Sequence, residues 1–117
     1  MALIRIKNLH VDTYIGFNPE ELVTRQEVVV NLTIRVPVSP EALVNDEPDG
    51  IYDYKTITKK IITFIRDGRF KLLEVLVHGL LDLVMSDERV EWVRVEADKP
   101  GALRFADSVS VEMEACR

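Results

Sequence analysis

Two stretches near the start of the chain alternate apolar and polar residues with a period of two. In residues 26–37 the apolar positions fall on one side and the polar or mixed positions on the other, and residues 3–12 alternate similarly, with a break at Asn8. The pattern predicts two strands of an antiparallel sheet that is covered on one face. The predicted buried positions of the second strand are Val28, Val30, Leu32, Ile34 and Val36.

Helical spacing replaces this alternation in the middle of the chain. Residues 54–66 and 71–85 repeat apolar residues every three or four positions, which predicts two amphipathic helices. Gly68 lies where the C-terminal cap of the first helix is expected. Between the strands and the helices, residues 37–50 contain three prolines and four acidic residues and are predicted to form a loop, long enough to suggest a functional role.

The chain ends in two further predicted strands, at residues 90–98 and 105–115. The order strand, strand, helix, helix, strand, strand predicts an α+β fold: a four-stranded antiparallel sheet with two helices on one face. Such a sheet leaves two unpaired edges, so we expect protomers to join their edges in a ring. The predicted polar face comprises Asn31, Thr33, Arg35, Arg94, Glu96, Ser110 and Glu112.

Composition narrows the possible classes of protein. The 117 residues predict a single domain over residues 1–117, and the net charge of −5 argues against a general nucleic-acid-binding surface. The one cysteine, Cys116, excludes an internal disulfide and favours the cytoplasm. No signal peptide or membrane span is recognisable, so no membrane partner is expected.

Familiar catalytic motifs are missing from the sequence. The two histidines, His10 and His78, belong to different predicted elements, and no zinc-ligand spacing, phosphate-binding glycine loop or GxSxG turn occurs. We therefore expect no metal and no cofactor. The chemistry that remains is that of lysine, tyrosine and carboxylate side chains.

Three residues of these types occupy unusual positions. Glu74 follows two leucines at the start of an apolar helix, where it is either a solvated first-turn acid or a carboxylate that binds the N–H groups of a flat heterocycle. Lys99 ends a strand before a Pro-Gly turn, as either a solvated lysine or an acid/base group. Tyr54 opens the first helix, as either a cap-region aromatic or a proton relay.

The motifs around these residues resemble one family over essentially the whole chain, that of dihydroneopterin aldolase and dihydroneopterin triphosphate 2′-epimerase. Each motif is short, but their order and spacing together are specific. They are Tyr14-Ile15-Gly16 with Glu21 and Gln26 downstream, Asp53-Tyr54, Arg69-Phe70-Lys71-Leu72-Leu73-Glu74, and Asp98-Lys99-Pro100-Gly101-Ala102.

The resemblance implies a fold, an assembly and a reaction. The fold is the tunnelling fold, in which protomers form a tetrameric barrel, two barrels commonly stack into an octamer, and active sites lie between neighbouring protomers. The reaction is a retro-aldol cleavage of a dihydropterin side chain, which needs neither a metal nor a Schiff base. The partner is thus a small pterin.

Two branches of the family remain open. Three segments resemble the epimerase branch, which implies inversion at C2′ of 7,8-dihydroneopterin triphosphate. They are Ile4-Arg5-Ile6-Lys7-Asn8-Leu9, Tyr54-Lys55-Thr56-Ile57-Thr58-Lys59 and Ala102-Leu103-Arg104-Phe105-Ala106-Asp107-Ser108-Val109-Ser110. In contrast, Lys99-Pro100-Gly101-Ala102 is more similar to the aldolase branch, which releases glycolaldehyde and 6-hydroxymethyl-7,8-dihydropterin in folate biosynthesis.

The resemblance also implies roles for individual residues. Glu74 and Leu73 would bind the pterin, and Lys99 would be the general acid/base. Tyr54, from the adjacent protomer, would assist proton transfer, and Glu21 would order the site around the lysine. Arg104 is the first candidate for binding the triphosphate. Three other cations are weaker candidates: Lys71, Arg69 and Lys55.

Overall fold

A computed structural model describes all residues from 1 to 117 and contains five strands and four helices. The strands are β1 (Ala2–Ile15), β2 (Gln26–Val36), β3 (Arg69–Phe70), β4 (Trp92–Pro100) and β5 (Ser108–Cys116). The helices are α1 (Pro19–Val23), α2 (Pro40–Asn45), α3 (Tyr54–Arg66) and α4 (Leu73–Met85). The predicted α+β class is confirmed, with every predicted strand and both predicted helices present.

The predicted four-stranded antiparallel sheet is wrong in one respect, because the sheet has five strands and is mixed. Its order is β3-β1-β2-β4-β5, with β3 parallel to β1 and every other pair antiparallel. The added strand is only two residues long and joins Tyr14 to Arg69 and Ile15 to Phe70. It brings the connection between α3 and α4 alongside the end of β1.

The core lies between one face of the sheet and the two long helices, α3 and α4. The five predicted apolar positions of β2 are all buried, and they pack with Ile57, Ile61 and Ile65 of α3 and with the apolar face of α4. This burial of branched aliphatic side chains is the main stabilising contribution to the fold. The opposite face is polar, as predicted, and Ser110 on it donates a hydrogen bond to Glu96.

Two short helices interrupt segments that the sequence pattern did not show as helical. The helix α2 lies within the segment predicted to be a loop, and α1 lies between the first two strands. Both begin with a polar N-cap residue followed by proline: Asn18-Pro19 for α1 and Ser39-Pro40 for α2. The caps, rather than an apolar stripe, define these helices, since neither contains a buried residue.

The predicted break at Asn8 is a β-bulge. Asn8 has a φ of +53°, and the register with β2 shifts between Ile6 and Leu9. The Asn31 side chain accepts a hydrogen bond from the Asn8 backbone N–H at 2.8 Å. The left-handed conformation, which asparagine tolerates better than most residues, lets β1 bend along its length.

No helix is both long enough and apolar enough to cross a membrane.

Candidate active site

The turn after β1 places a carboxylate against the sheet. Gly16 has a φ of +119°, and its N–H donates a hydrogen bond to the carbonyl of Phe70 at 2.8 Å. A Cβ at this position would overlap the carboxylate of Glu21. Glycine is therefore required here both for the left-handed backbone and for the space that Glu21 occupies.

A capping box then fixes the backbone of Glu21. The side chain of Asn18 accepts a hydrogen bond from the Glu21 N–H at 2.9 Å, and Glu21 accepts one from the Asn18 N–H at 3.5 Å. Asn18 was not predicted to cap a helix, although asparagine followed three residues later by glutamate is a signature of such a box.

Lys99 and Glu21 form an ion pair between the start of α1 and the end of β4. Their side chains are 14% and 18% exposed, so the pair is shielded from most of the solvent. Gln26 donates to Glu21 at 3.2 Å and to the carbonyl of Ile15 at 2.8 Å. The structure thus brings together two of the predicted catalytic residues, which are 78 positions apart in the chain.

The electrostatics of the pair favour the ionised carboxylate. The hydrogen bond from Lys99 lowers the pKa of Glu21 below its usual value, partial burial acts in the opposite direction, and the hydrogen bonds from Gln26 and Asn18 lower it further. An ammonium group held in a fixed position next to a carboxylate can deliver a proton to a bound molecule and later recover one.

Two clefts meet at Glu21. The first, of about 270 Å³, is lined by Asn18, Glu20, Glu21, Thr24, Gln26, Gly101 and Ala102. The second, of about 180 Å³, is lined by Tyr14, Gly16, Glu21, Leu22, Arg69, Phe70 and Lys71. The second cleft reaches the connection from β3 to α4, so the start of α4 lies next to it.

The start of α4 carries the two residues predicted to bind a heterocycle. The N-cap residue is Leu72, which makes no side-chain cap, so the first backbone N–H groups of the helix are left without a side-chain acceptor. The Leu73 side chain is buried, whereas the Glu74 carboxylate is exposed and makes no hydrogen bond or ion pair. Free N–H groups next to a free carboxylate can bind an edge that has both an acceptor and donors.

Tyr54 lies apart from the ion pair. It is the first residue of α3, where Asp53 caps the helix by accepting from the backbone N–H groups of Lys55 and Thr56. The hydrogen bonds from Thr56 lower the pKa of Asp53. The Tyr54 ring is 52% exposed and lines a separate cleft formed by residues 48–55, which also includes the side chain of Lys55. A single chain therefore does not bring Tyr54 to Glu21 and Lys99.

The residues predicted to bind phosphate do not all lie near Glu21. Arg104 lies in the exposed turn between β4 and β5, with its guanidinium 5.5 Å from the ring centre of Phe105, and lines neither cleft at Glu21. Arg69 and Lys71 both line the second cleft. Nowhere does the chain cluster three histidine, cysteine or acidic side chains in an arrangement that could hold a metal ion.

Comparison with known proteins identifies the class to which this fold and site belong. Residues 4–114 match the family described as FolB, dihydroneopterin aldolase. A relative from Pseudomonas aeruginosa, named dihydroneopterin triphosphate 2′-epimerase, is 45% identical over 117 residues, which cover all of this chain and 94% of the relative. The chain therefore belongs to the FolB, dihydroneopterin aldolase, family of enzymes.

Two solved structures share the fold at lower identity. The dihydroneopterin aldolase of Escherichia coli in complex with neopterin has a TM-score of 0.90 and 26% identity, over 98% of this chain and 99% of that chain. The dihydroneopterin aldolase of Burkholderia thailandensis bound to guanine has a TM-score of 0.82 and 26% identity, over 99% of this chain and 91% of that chain.

Proposed function

We propose that this protein inverts C2′ of 7,8-dihydroneopterin triphosphate, which gives 7,8-dihydromonapterin triphosphate. The observation that carries the proposal is the shielded Lys99–Glu21 pair where two clefts meet. The pair is the acid/base group that this reaction requires. The choice of the epimerase within the family is supported by 45% identity to a relative with that name, against 26% to the solved aldolase from Escherichia coli.

The reaction transfers two protons and breaks and re-forms one carbon–carbon bond. A base removes the proton of the 2′-hydroxyl, the C1′–C2′ bond breaks, and its electrons pass through C6 to N5, which takes up a proton. The products are an enamine and an aldehyde fragment. The dihydropterin imine accepts the electrons, so the substrate supplies its own electron sink. If the fragment presents its other face and adds back, the configuration at C2′ inverts.

In this scheme Lys99 and Glu21 handle the protons. Lys99 delivers its proton to N5 and takes up the proton released by the 2′-hydroxyl as the bond breaks, and both transfers reverse when the bond forms again, while Glu21 keeps the ammonium in place and stabilises its charge. Gln26 and the capping box hold Glu21 in turn. A proton-transfer group must lie within hydrogen-bond reach of its target, and this support from Gln26 and Asn18 restricts where the lysine nitrogen can go.

The start of α4 is the proposed anchor for the pterin ring. Glu74 would accept hydrogen bonds from the ring amino group and the neighbouring N–H, and the backbone N–H of Leu73 would donate to the ring carbonyl. The guanine bound to the Burkholderia thailandensis structure supports this anchor, because guanine presents the same acceptor and donors along one edge. The anchor residues Leu73 and Glu74 line neither of the two clefts at Glu21.

The proposed site is completed by a neighbouring protomer. Tyr54 would come from that protomer, since within one chain it lines a different cleft. The sheet supports a ring of protomers, because β5 forms one open edge and most of β1 the other, with only Tyr14 and Ile15 paired to β3. Joining β5 of one protomer to β1 of the next would close a barrel. A tetrameric ring that stacks into an octamer, and a cytoplasmic location, remain predictions.

The test is a product assay on two substrates in parallel, dihydroneopterin triphosphate and dihydroneopterin. Products are oxidised and separated as neopterin, monapterin and 6-hydroxymethylpterin. We expect monapterin to dominate from the triphosphate. Unchanged stereochemistry at C2′ in the recovered triphosphate substrate would overturn the proposal.

The second candidate is the aldolase reaction of folate biosynthesis. It is favoured by the exposed turn from Gly101 to Asp107, which borders the first cleft and leaves it open for an aldehyde fragment to escape. In that case glycolaldehyde and 6-hydroxymethyl-7,8-dihydropterin would form from unphosphorylated dihydroneopterin. The same chromatogram detects this outcome, because 6-hydroxymethylpterin would replace monapterin.

A further inference from the structure

The two clefts that meet at Glu21 differ in charge. The first contains a second acid, Glu20, whereas the second contains two cations, Arg69 and Lys71. The charge of Glu21 itself is balanced by Lys99. The first cleft is therefore net negative and the second net positive, within a chain whose overall charge is −5.

The cations around the second cleft have no acidic partners. Lys71 makes no hydrogen bond or ion pair, and it immediately precedes the N-cap residue of α4. Neither Arg69 nor its neighbour Arg25 has a carboxylate within ion-pair distance. Three cations without an acidic partner therefore lie close together, and such a concentration of positive charge favours the binding of an anion.

The arginines are held in place by an aromatic ring and by carbonyl groups. The guanidinium of Arg69 lies 3.9 Å from the ring centre of Tyr14, and that of Arg25 lies 5.1 Å from it. Arg69 also donates to the carbonyl of Leu22 at 3.2 Å. One N–H edge of Arg69 is thus used for positioning, and its remaining donors are free for a ligand.

We propose that the second cleft binds the polyphosphate arm of the substrate, with Lys71 and Arg69 as its ligands. The inference rests on the proposed function, because the epimerase substrate carries a triphosphate and the pair at Glu21 acts on the carbon chain that bears it. A polyanion would be repelled by Glu20 in the first cleft and attracted into the second. This assignment places Lys71 and Arg69 ahead of Arg104, which lines neither cleft.

The test compares phosphorylated and unphosphorylated substrate in the Lys71→Gln variant. We expect KM for dihydroneopterin triphosphate to rise at least tenfold, with kcat within twofold of the wild type and KM for dihydroneopterin unchanged. Lys71→Arg should restore KM, because it restores the charge. The matched control is Lys59→Gln on α3, which removes an equal charge from a residue that lines neither cleft.

Two outcomes would overturn this assignment: an equal rise in KM for both substrates, or a rise of the same size in Lys59→Gln. Calorimetric binding of inorganic triphosphate separates this proposal from the proposed function. If the wild type has no epimerase turnover but binds triphosphate tenfold more tightly than Lys71→Gln, the cleft is a polyphosphate site and only the reaction is wrong. If wild type and variant bind triphosphate equally, the cleft does not bind the arm.

Discussion

Glu21 and Tyr54 differ in how many of their contacts are made within one chain. The Glu21 carboxylate contacts Lys99, Gln26 and the backbone of Asn18, and its side chain is 18% exposed. Tyr54 is 52% exposed, and its hydroxyl makes no hydrogen bond within the chain. The first region is complete in an isolated chain, whereas the second leaves an aromatic side chain open to a partner.

This difference gives the two regions separate tasks under the proposed function. A proton-transfer pair works best when its geometry is fixed in advance, and the fold of one chain fixes it here. The exposed tyrosine contributes only where a second copy brings it to the pair. We therefore expect substitutions near Glu21 to act within one chain and substitutions at Tyr54 to act across an interface.

The largest effect should follow the loss of the lysine. In Lys99→Met we expect kcat to fall by about 10³-fold, the typical contribution of general acid/base catalysis, while pterin affinity stays within a few-fold because Glu74 is retained. Product chromatography measures the first quantity and pterin fluorescence titration the second. Thermal unfolding serves as the control for folding, and a kcat within tenfold of wild type would show that the pair is not the acid/base group.

A mixing experiment would test whether the two regions meet across an interface. Tyr54→Phe and Lys99→Met subunits, co-expressed so that they assemble together, should regain about a quarter of wild-type activity. In a randomly mixed ring, about one interface in four brings an intact Tyr54 of one subunit to an intact Lys99 of its neighbour. The measured quantity is activity per site against each variant alone. Lys99→Met mixed with Glu21→Gln is the matched control.

That control should regain nothing, because Glu21 and Lys99 come from the same chain. If the first mixture is no more active than the sum of its components, the tyrosine and the lysine serve independent sites.

A smaller effect, mainly on stability, should come from Gly16→Ala. The new Cβ would overlap the Glu21 carboxylate, and the φ of +119° is unfavourable for alanine, so we expect a loss of about 2–3 kcal/mol in the free energy of unfolding. Gly50→Ala is the matched control near Tyr54: its φ is +81°, but no atom lies within 4 Å of the added Cβ. It should lose only about 1 kcal/mol.

Urea unfolding at neutral pH measures both glycine variants. Equal losses in the two would mean that backbone conformation alone, and not contact with Glu21, requires glycine at position 16.

The long elements could be predicted from periodicity, and the short ones could not. Helix α3 was predicted at its observed bounds, because three buried isoleucines recur at helical spacing. Helices α1 and α2, of five and six residues, are too short to show a stripe. Strand β3 exists only through pairing with the end of β1, so its formation depends on contacts that no local pattern encodes.

Some features of the candidate site could likewise be predicted from the sequence, and others could not. Lys99 was singled out by its position before a Pro-Gly turn and Glu21 by resemblance, but their contact depends on the sheet register that carries Lys99 to the end of β4. The capping box at Asn18 was available from the sequence alone. The opposite charges of the two clefts required the structure, because tertiary contacts bring Arg69 and Lys71 to Glu21.

The smallest expected effect concerns Tyr52, a buried neighbour of Tyr54. Its hydroxyl has no partner within the chain, and burial, followed by the nearby charge of Asp87, raises its pKa to about 12 from an ordinary 10.0. A raised pKa in the folded state favours the neutral phenol. The contribution of the neutral Tyr52 phenol to the free energy of unfolding is fully present below pH 10 and is lost as the pH rises towards 12. Tyr52→Phe should therefore lessen the loss of stability across that interval.

At neutral pH, Tyr52→Phe should change the free energy of unfolding by less than about 1 kcal/mol, because no hydrogen bond within the chain is lost. Urea unfolding at pH 7 and across pH 10–12 measures both effects, with the half-exposed Tyr54→Phe as the control. A cost above about 2 kcal/mol at pH 7 would contradict the expectation, since an unpartnered hydroxyl is not worth that much. Such a cost would mean that assembly supplies a partner to Tyr52, and the region that depends on a second copy would then extend inward from Tyr54.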